Sequence, residues 1–258
     1  MATTKKAWLN ALFLAVTLAI NTLGALGYIN GLTQKEISDR YLTLITPSSA
    51  TFSIWSVIYS LLIIAVIMMI VKKDDRYYRR AVETVTPLFI TSCLINMAWI
   101  IAFSYVQIEL SVLFIFGFVI TLALICQQLL KVNDGNHWLL PFTFGLYTGW
   151  LFIAAVVNTA AMLVKWQWNG FGIAADIWAI MTLIVAILLV YMVNSRIRNA
   201  VFPLPVAWAY YGIYQFLKAP EGFQGDFAVL QNTALVGAVV LVALALLQFY
   251  RNRMALIP

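Results

Sequence analysis

The residues in this sequence best suited to binding chemistry lie inside an apolar stretch, residues 145–158, GLYTGWLFIAAVVN. Tyr147, Trp150, Ala154 and Asn158 are spaced i, i+3, i+7 and i+11, so a helix places a phenol, an indole, a small gap and an amide on one face. An amide turned to lipid would leave its polar groups unpaired at a cost of roughly 2–7 kcal/mol, so this face should look inward. Either Asn158 clamps a neighbouring helix while the rings fill the core, or the face lines a ligand cavity.

Two further apolar stretches repeat this combination of rings and polar tips. Asn96, Trp99 and Phe103 follow the i, i+3, i+7 pattern, and Trp55 and Tyr59 lie one helical turn apart. Converging indoles and phenols form flat, polarisable walls of the kind that bind planar, largely apolar molecules. For Trp55 and Tyr59, an aromatic belt at the membrane interface is the alternative.

The sequence offers little for other kinds of chemistry. Cys93 and Cys126 lie in apolar runs without CxxC spacing, which is typical of packing residues. His137, the single histidine, sits in a short loop, and we predict no acidic cluster around it and no catalytic role. No HExxH, GxSxG or acidic dyad shares a membrane face, so an enzyme is the poorest fit, and we predict no catalytic residue, no metal site and no required cofactor.

Composition identifies an integral membrane protein. Of the 258 residues 63% are hydrophobic and 10% are charged, well outside the range of soluble domains. The apolar runs are about 20 residues long, the length of a membrane-spanning helix, whereas barrel strands would be about 10. We therefore predict an all-α polytopic transmembrane helix bundle. The net charge of +6 lies mainly in loops, which indicates contact with the lipid bilayer and not with nucleic acid.

The apolar runs predict eight spans, at about residues 8–28, 50–71, 87–105, 110–130, 138–163, 173–193, 200–218 and 233–250. The segment 200–218 is the weakest, because Pro203 and Pro205 remove backbone donors, although proline is tolerated in a first helical turn. Without it there are seven spans. Residues 29–49 form a loop long enough to act as a lid, and the charge run 72–80, KKDDRYYRR, is predicted to be a solvated loop.

Charge distribution predicts the orientation. With eight spans, twelve of the sixteen lysines and arginines fall on the side that holds both termini. These are Lys5, Lys6, Lys72, Lys73, Arg76, Arg79, Arg80, Lys131, Arg196, Arg198, Arg251 and Arg253. The positive-inside rule then places both termini in the cytoplasm, and we expect a bacterial cell membrane.

The three motifs together resemble the tryptophan-rich sensory protein and translocator protein family, also called the peripheral benzodiazepine receptors. That family has a W-x-x-x-Y pair in its second helix (Trp55, Tyr59), an N-x-x-W followed by phenylalanine in its third, and the tyrosine-to-asparagine pattern described above in its fifth. The family's tandem proline is reduced here to Pro47, and Leu146 replaces a proline. The resemblance covers residues 8–165, which implies a five-helix family core (1–165) with a C-terminal helical extension (166–258) of two or three spans within one membrane domain (1–258).

The resemblance implies a pocket under the first loop that binds tetrapyrroles, sterols or similar planar hydrophobic molecules. The implied ligand-binding residues are Trp55, Tyr59, Asn96, Trp99, Phe103, Tyr147, Trp150, Ala154 and Asn158. No histidine or cysteine lies on these faces, so a tetrapyrrole would be held by its ring and substituents and not by an axial ligand. The expected function is a membrane receptor or sensor; a transporter of small hydrophobic molecules is the alternative, and a homodimer is one option for the assembly.

Overall fold

The computed structural model describes residues 3–258, and over those residues the protein is entirely helical and without strands. The nine α-helices are α1 (Thr3–Ala25), α2 (Gln34–Arg40), α3 (Ile54–Val71), α4 (Arg76–Ser104), α5 (Ile108–Val132), α6 (Leu139–Lys165), α7 (Ala175–Ile197), α8 (Pro203–Lys218) and α9 (Ala228–Arg251). Two 3₁₀-helices occupy Ser49–Ser53 and Gly170–Gly172. Within the described residues, seven helices are long and apolar enough to cross a membrane, which confirms the predicted helical bundle.

The third span begins earlier than predicted. We expected residues 72–80 to be a loop and the helix to open at Pro87, but α4 starts at Arg76 and Pro87 lies inside it. The reason is local: the Asp75 carboxylate accepts hydrogen bonds from the backbone N–H groups of Tyr77 (2.8 Å) and Tyr78 (3.1 Å), which caps the first turn. Both tyrosines are buried, so packing also holds this turn in the helix.

Four segments meet at one face of the bundle, which we call the basic face. The Thr3 hydroxyl at the start of α1 donates to Glu83 (3.0 Å), and the Asn133 amide after α5 donates to the carbonyl of Pro258 (2.8 Å). The ring of His137 stacks on Tyr77, with 4.3 Å between centroids. The start of α1, the turn before α4, the loop between α5 and α6, and residues 252–258 are therefore on the same side, while α2 lies on the opposite face. That the basic face is cytoplasmic stays a prediction.

The segment 200–218 becomes the short helix α8, which is not among the seven long spans. Its 16 residues extend about 24 Å, less than the roughly 30 Å of a hydrocarbon core. Both α7 and α9 end at the basic face, since the Asn252 amide donates to the carbonyl of Arg198 (2.9 Å). The chain must therefore return to the opposite face through α8, so the fold has seven long spans and one short eighth crossing.

Helix α6 is the most buried of the seven spans and packs against α3, α5, α7 and α8. Its two glycines, Gly145 and Gly149, make the close approach that a GxxxG pair allows. A Cβ atom at Gly145 would lie 2.5 Å from Oδ1 of Asn199, and one at Gly149 would overlap the carbonyl of Phe202 and approach Pro205. The segment that enters α8 thus rests directly on the α6 backbone, and one buried apolar cluster extends from α1 to α9.

Candidate functional site

Trp55 lies at the centre of an aromatic cluster built by α3, α4 and α6. Its ring stacks on Tyr59 (5.1 Å between centroids) and on Trp99 (6.4 Å), and meets the edges of Tyr147 (6.2 Å) and Trp150 (6.1 Å). The structure thus brings together rings from all three sequence motifs. Because Trp55 contacts rings on two other helices, it does not belong to a lipid-facing interfacial belt.

Two more rings extend this cluster. Phe103 packs against Trp99 with 6.5 Å between centroids. Phe52, from the 3₁₀-helix Ser49–Ser53, meets Trp150 edge to face at 5.9 Å. Together with Trp55, Tyr59 and Tyr147 these residues form what we call the aromatic cluster. It lies in the half of the bundle nearest the opposite face, because α3 begins and α4 ends there.

A chain of hydrogen bonds lies one helical turn deeper and joins four helices. The Tyr59 hydroxyl donates to Oδ1 of Asn21 (2.8 Å), Nδ2 of Asn21 donates to Oδ1 of Asn96 (2.9 Å), and Nδ2 of Asn96 donates to the Tyr147 hydroxyl (2.9 Å). Asn21 and Asn96 are buried, so each would be costly without these partners. We call this chain the polar floor, because it pairs its own polar groups and closes the aromatic cluster on the side of the basic face.

Two donors above the polar floor have no partner. The indole N–H groups of Trp99 and Trp150 are buried and donate no hydrogen bond within the described residues. Trp99 is 9% exposed and Trp150 is 2% exposed, so bulk solvent does not reach them freely. A buried donor left unpaired costs about 1–3 kcal/mol, which makes these two N–H groups natural points for a ligand acceptor.

The remaining two predicted site residues stand further along α6. Nδ2 of Asn158 donates to the hydroxyl of Ser111 on α5 (2.9 Å), which corresponds to the helix-clamp alternative for this amide. Ala154, one turn after Trp150, is half-buried and packs against the core. The structure shows no ring contact for Asn158, so its place in a ligand site stays a prediction.

Sequence reasoning missed Asn21 and Phe52. The signal for Asn21 was present: Asn10, Thr17 and Asn21 recur at i, i+7 and i+11 within the first span, the same kind of polar stripe that singled out Asn158. All three are buried. Phe52 had no such signal, because its position depends on the 3₁₀-helix that α8 holds in place.

The helix α8 fixes the 3₁₀-helix Ser49–Ser53 against the cluster. The backbone N–H of Ser48 donates to the carbonyl of Gly212 (3.0 Å), and the Trp208 indole donates to the carbonyl of Thr51 (2.9 Å). A Cβ atom at Gly212 would overlap the hydroxyl of Thr51, so only glycine permits this contact. Since Phe52 follows Thr51, a residue pair on α8 determines where one wall of the aromatic cluster stands.

The first loop packs against α1 and α4 at this end of the bundle, and that it acts as a lid stays a prediction. Within it, α2 begins with a capping box: the Thr33 hydroxyl accepts from the backbone of Glu36 (3.1 Å), and the Glu36 carboxylate accepts from the backbone of Thr33 (2.7 Å). The backbone and side-chain hydrogen bonds from Thr33 lower the pKa of Glu36. Ile37 is fully buried, which anchors α2 to the bundle.

Two aspartates lie near the His137 ring, where the sequence predicted no acidic cluster. Its Nδ1 lies 2.9 Å from Oδ1 of Asp134, and its Nε2 lies 3.8 Å from Oδ1 of Asp75. Burial would raise the pKa of Asp134, but hydrogen bonds from His137 and from the Asn136 backbone outweigh it and lower the pKa. The cluster joins the turn before α4 to the loop before α6 at the basic face, far from the aromatic cluster.

A polytopic helical bundle with seven membrane-length apolar helices defines an integral membrane protein, and rings from three of these helices meet around Trp55. The family model described as TSPO-like protein matches residues 7–247, and the chain belongs to that family. The match continues past residue 165, where the motif resemblance ended, and includes α7, α8 and most of α9. Neither a comparison with curated proteins nor one with solved structures gave a match.

Proposed function

We propose that the protein is a membrane receptor or sensor that binds planar hydrophobic molecules, tetrapyrrole-like compounds among them, at the aromatic cluster. The observation that carries this proposal is the pair of buried, unpaired indole N–H groups of Trp99 and Trp150 beside stacked rings. A flat ligand with acceptor groups at its edge would stack on the rings and accept from both indoles. Purely apolar molecules would leave both donors unpaired and bind more weakly.

Ligand entry requires Trp55 to move. Its ring fills the space between Tyr59, Trp99, Tyr147 and Trp150, so a planar molecule must take over these stacking contacts. Trp55 is half-buried while Trp99, Tyr147 and Trp150 are buried, which makes it the ring with the most freedom to swing outward. We therefore assign Trp55 the role of a movable side chain and the other three the role of fixed walls.

The polar floor favours binding over transport. A transported molecule needs a path to both faces, but Asn21, Asn96, Tyr59 and Tyr147 close the site towards the basic face with paired hydrogen bonds. Phe118 packs edge to face on Tyr147 at 5.4 Å and adds apolar volume there. Uptake of a porphyrin into sealed vesicles that carry the protein, at a rate above that of empty vesicles, would favour the transporter alternative.

The test is titration with a porphyrin that carries carboxylate groups, followed by its own absorbance, in parallel with thermal unfolding. Trp150→Phe keeps a ring but removes the donor, and should weaken binding roughly threefold to tenfold, the equivalent of one hydrogen bond. The matched control is Trp138→Phe, because Trp138 is 60% exposed and lies in the loop before α6. Equal affinity of the wild type, Trp150→Phe and Trp99→Phe would contradict the proposal.

A further inference from the structure

A second feature of the bundle is an apolar groove between α1 and α3, which we call the α1–α3 groove. It has a volume of about 430 Å³ and is lined only by apolar side chains and Trp8. On α1 it extends from Trp8 to Leu18, and on α3 from Ile63 to Val71. It is separate from the aromatic cluster, whose α3 residues Trp55 and Tyr59 lie at the other end of that helix.

The dimensions of the groove match one leaflet of a bilayer. The ten-residue separation between Trp8 and Leu18 corresponds to about 15 Å along a helix, half of a hydrocarbon core of roughly 30 Å. Because α1 begins and α3 ends at the basic face, the groove occupies the leaflet on that side. Leu14 and Val66 are each 5% exposed and form its floor, whereas Trp8 and Val71 at its mouth are 60% and 65% exposed.

Three lysines flank the mouth of the groove along the chain. Lys5 precedes Trp8 by about one helical turn, and Lys72 and Lys73 come directly after Val71, whereas Lys6 lies on another face of α1. None of these lysines takes part in an ion pair in the described chain. The α1–α3 groove is apolar over the length of one leaflet and ends near lysines. It is therefore complementary to an anionic amphiphile, which joins an apolar tail to a negatively charged headgroup.

Acidic groups near the mouth only partly offset these lysines. The Asp75 carboxylate is engaged in capping α4, and Glu83 accepts the hydroxyl of Thr3. Asp74 is exposed in the same turn as the two lysines that precede it. Lys5, Lys72 and Lys73 outnumber the two aspartates of the turn after α3, and Glu83 lies on α4 against Thr3.

We propose that the α1–α3 groove binds an anionic phospholipid, with one acyl chain along α1 and α3 and the headgroup phosphate at the lysines. Basic sites between transmembrane helices bind anionic headgroups in this way, and each nearby lysine strengthens the attraction. A zwitterionic lipid fills the groove equally well but gains less from the lysines. A second copy of the chain is the poorer occupant, because a two-fold contact would bring the same lysines against each other.

The experiment is native mass spectrometry of the full chain in detergent, titrated with dioleoyl-phosphatidylglycerol or with dioleoyl-phosphatidylcholine. We expect one phosphatidylglycerol molecule to be retained preferentially. Changing both Lys72→Gln and Lys73→Gln should lower the retention of phosphatidylglycerol about tenfold and leave that of phosphatidylcholine unchanged. The charge control is Lys131→Gln, which removes a lysine from the same face at the end of α5 and should change neither.

A second variant tests the groove without touching the charges. Ala15 lines the groove and is exposed, so Ala15→Phe should fill it and reduce phosphatidylglycerol retention at least fivefold while the protein stays folded. Its control is Ala19→Phe, one turn further along α1, exposed but outside the groove.

Three results would each overturn the proposal. They are equal retention of the two lipids, equal effects of Ala15→Phe and Ala19→Phe, and a loss in Lys131→Gln as large as that in the double variant. Cross-linking of two chains through Ala15→Cys in vesicles of the same lipids would instead identify a second copy as the occupant.

Discussion

Gly212 offers the sharpest test of how α8 positions the aromatic cluster. In an ordinary helix Gly→Ala is stabilising by about 0.8–1 kcal/mol. At Gly212, however, the new Cβ would overlap Oγ1 of Thr51 and lie 2.9 Å from Cβ and Cγ2 of the same residue. Overpacking of this kind costs about 1–3 kcal/mol. If the 3₁₀-helix shifts to relieve it, the hydrogen bonds of Ser48 and Trp208 weaken as well, at about 1 kcal/mol each.

The net expectation is that Gly212→Ala destabilises the protein by about 1–3 kcal/mol. The matched control is Gly117→Ala in α5, where the nearest atom, Cδ1 of Ile95, lies at an ordinary contact distance of 3.8 Å. That change should be neutral or stabilising by up to about 1 kcal/mol. The two variants thus differ by about 1–4 kcal/mol, and at about 2–4 °C per kcal/mol their Tm values should differ by roughly 2–16 °C in detergent.

Gly212→Ala should also weaken porphyrin binding, because the displaced 3₁₀-helix carries Phe52 away from Trp150. Gly117→Ala should bind as the wild type does. If the two variants have the same Tm and the same affinity, then α8 does not position the cluster and the reasoning from these contacts is refuted.

Three further predictions concern the polar floor, the turn at Val106 and the capping box of α2. Asn21→Ala leaves the Tyr59 hydroxyl and Oδ1 of Asn96 without partners, at a cost of about 1–3 kcal/mol each, so the Tm of the variant should fall by several degrees. The control is Thr22→Ala on the exposed side of α1, which should leave the Tm unchanged. Equal Tm values for the two variants would refute the polar floor. Val106 has a φ of 60°, which costs a non-glycine residue about 1–2 kcal/mol. Val106→Gly should therefore raise the Tm, whereas Val106→Ala keeps a Cβ and should not. A lower Tm for the glycine variant would argue against backbone strain at this position. Hydrogen bonds from Thr33 lower the pKa of Glu36 below its ordinary value of 4.5, so the capping box should be intact above pH 4.5 and lost as the pH falls through the lowered pKa. Protection of residues 34–40 against hydrogen exchange should fall over this pH range in the wild type. In Glu36→Gln the protection of these residues should not depend on pH in this range.

The long spans and the convergence of the aromatic rings could be predicted from the sequence because both depend on local periodicity. Apolar length predicts a span, and a polar or aromatic stripe at helical spacing predicts an inward face; Trp55, Trp99 and Trp150 accordingly converge. The first loop was predicted as a lid, and even its helix had a visible signal in the capping-box residues Thr33 and Glu36.

The features that were not readable depend on contacts between distant segments. The start of α4 at Arg76 depends on burial of Tyr77 against His137, some sixty residues away in the chain. The position of Phe52 depends on Trp208, 157 residues from the carbonyl that its indole reaches. The length and proline content of α8 predicted a doubtful span, but its register against Thr51 follows from a single glycine that no periodicity marks.

The connection between α7 and α8 constrains how the protein is assembled during synthesis. Several of its polar groups pair with distant segments: the carbonyl of Arg198 accepts from Asn252, the N–H of Ala200 donates to the carbonyl of Leu256, and the Asn199 side chain donates to the carbonyl of Pro141. Asn252 and Leu256 are translated only after α9. The connection therefore acquires its full set of hydrogen bonds only once residues 252–256 have emerged.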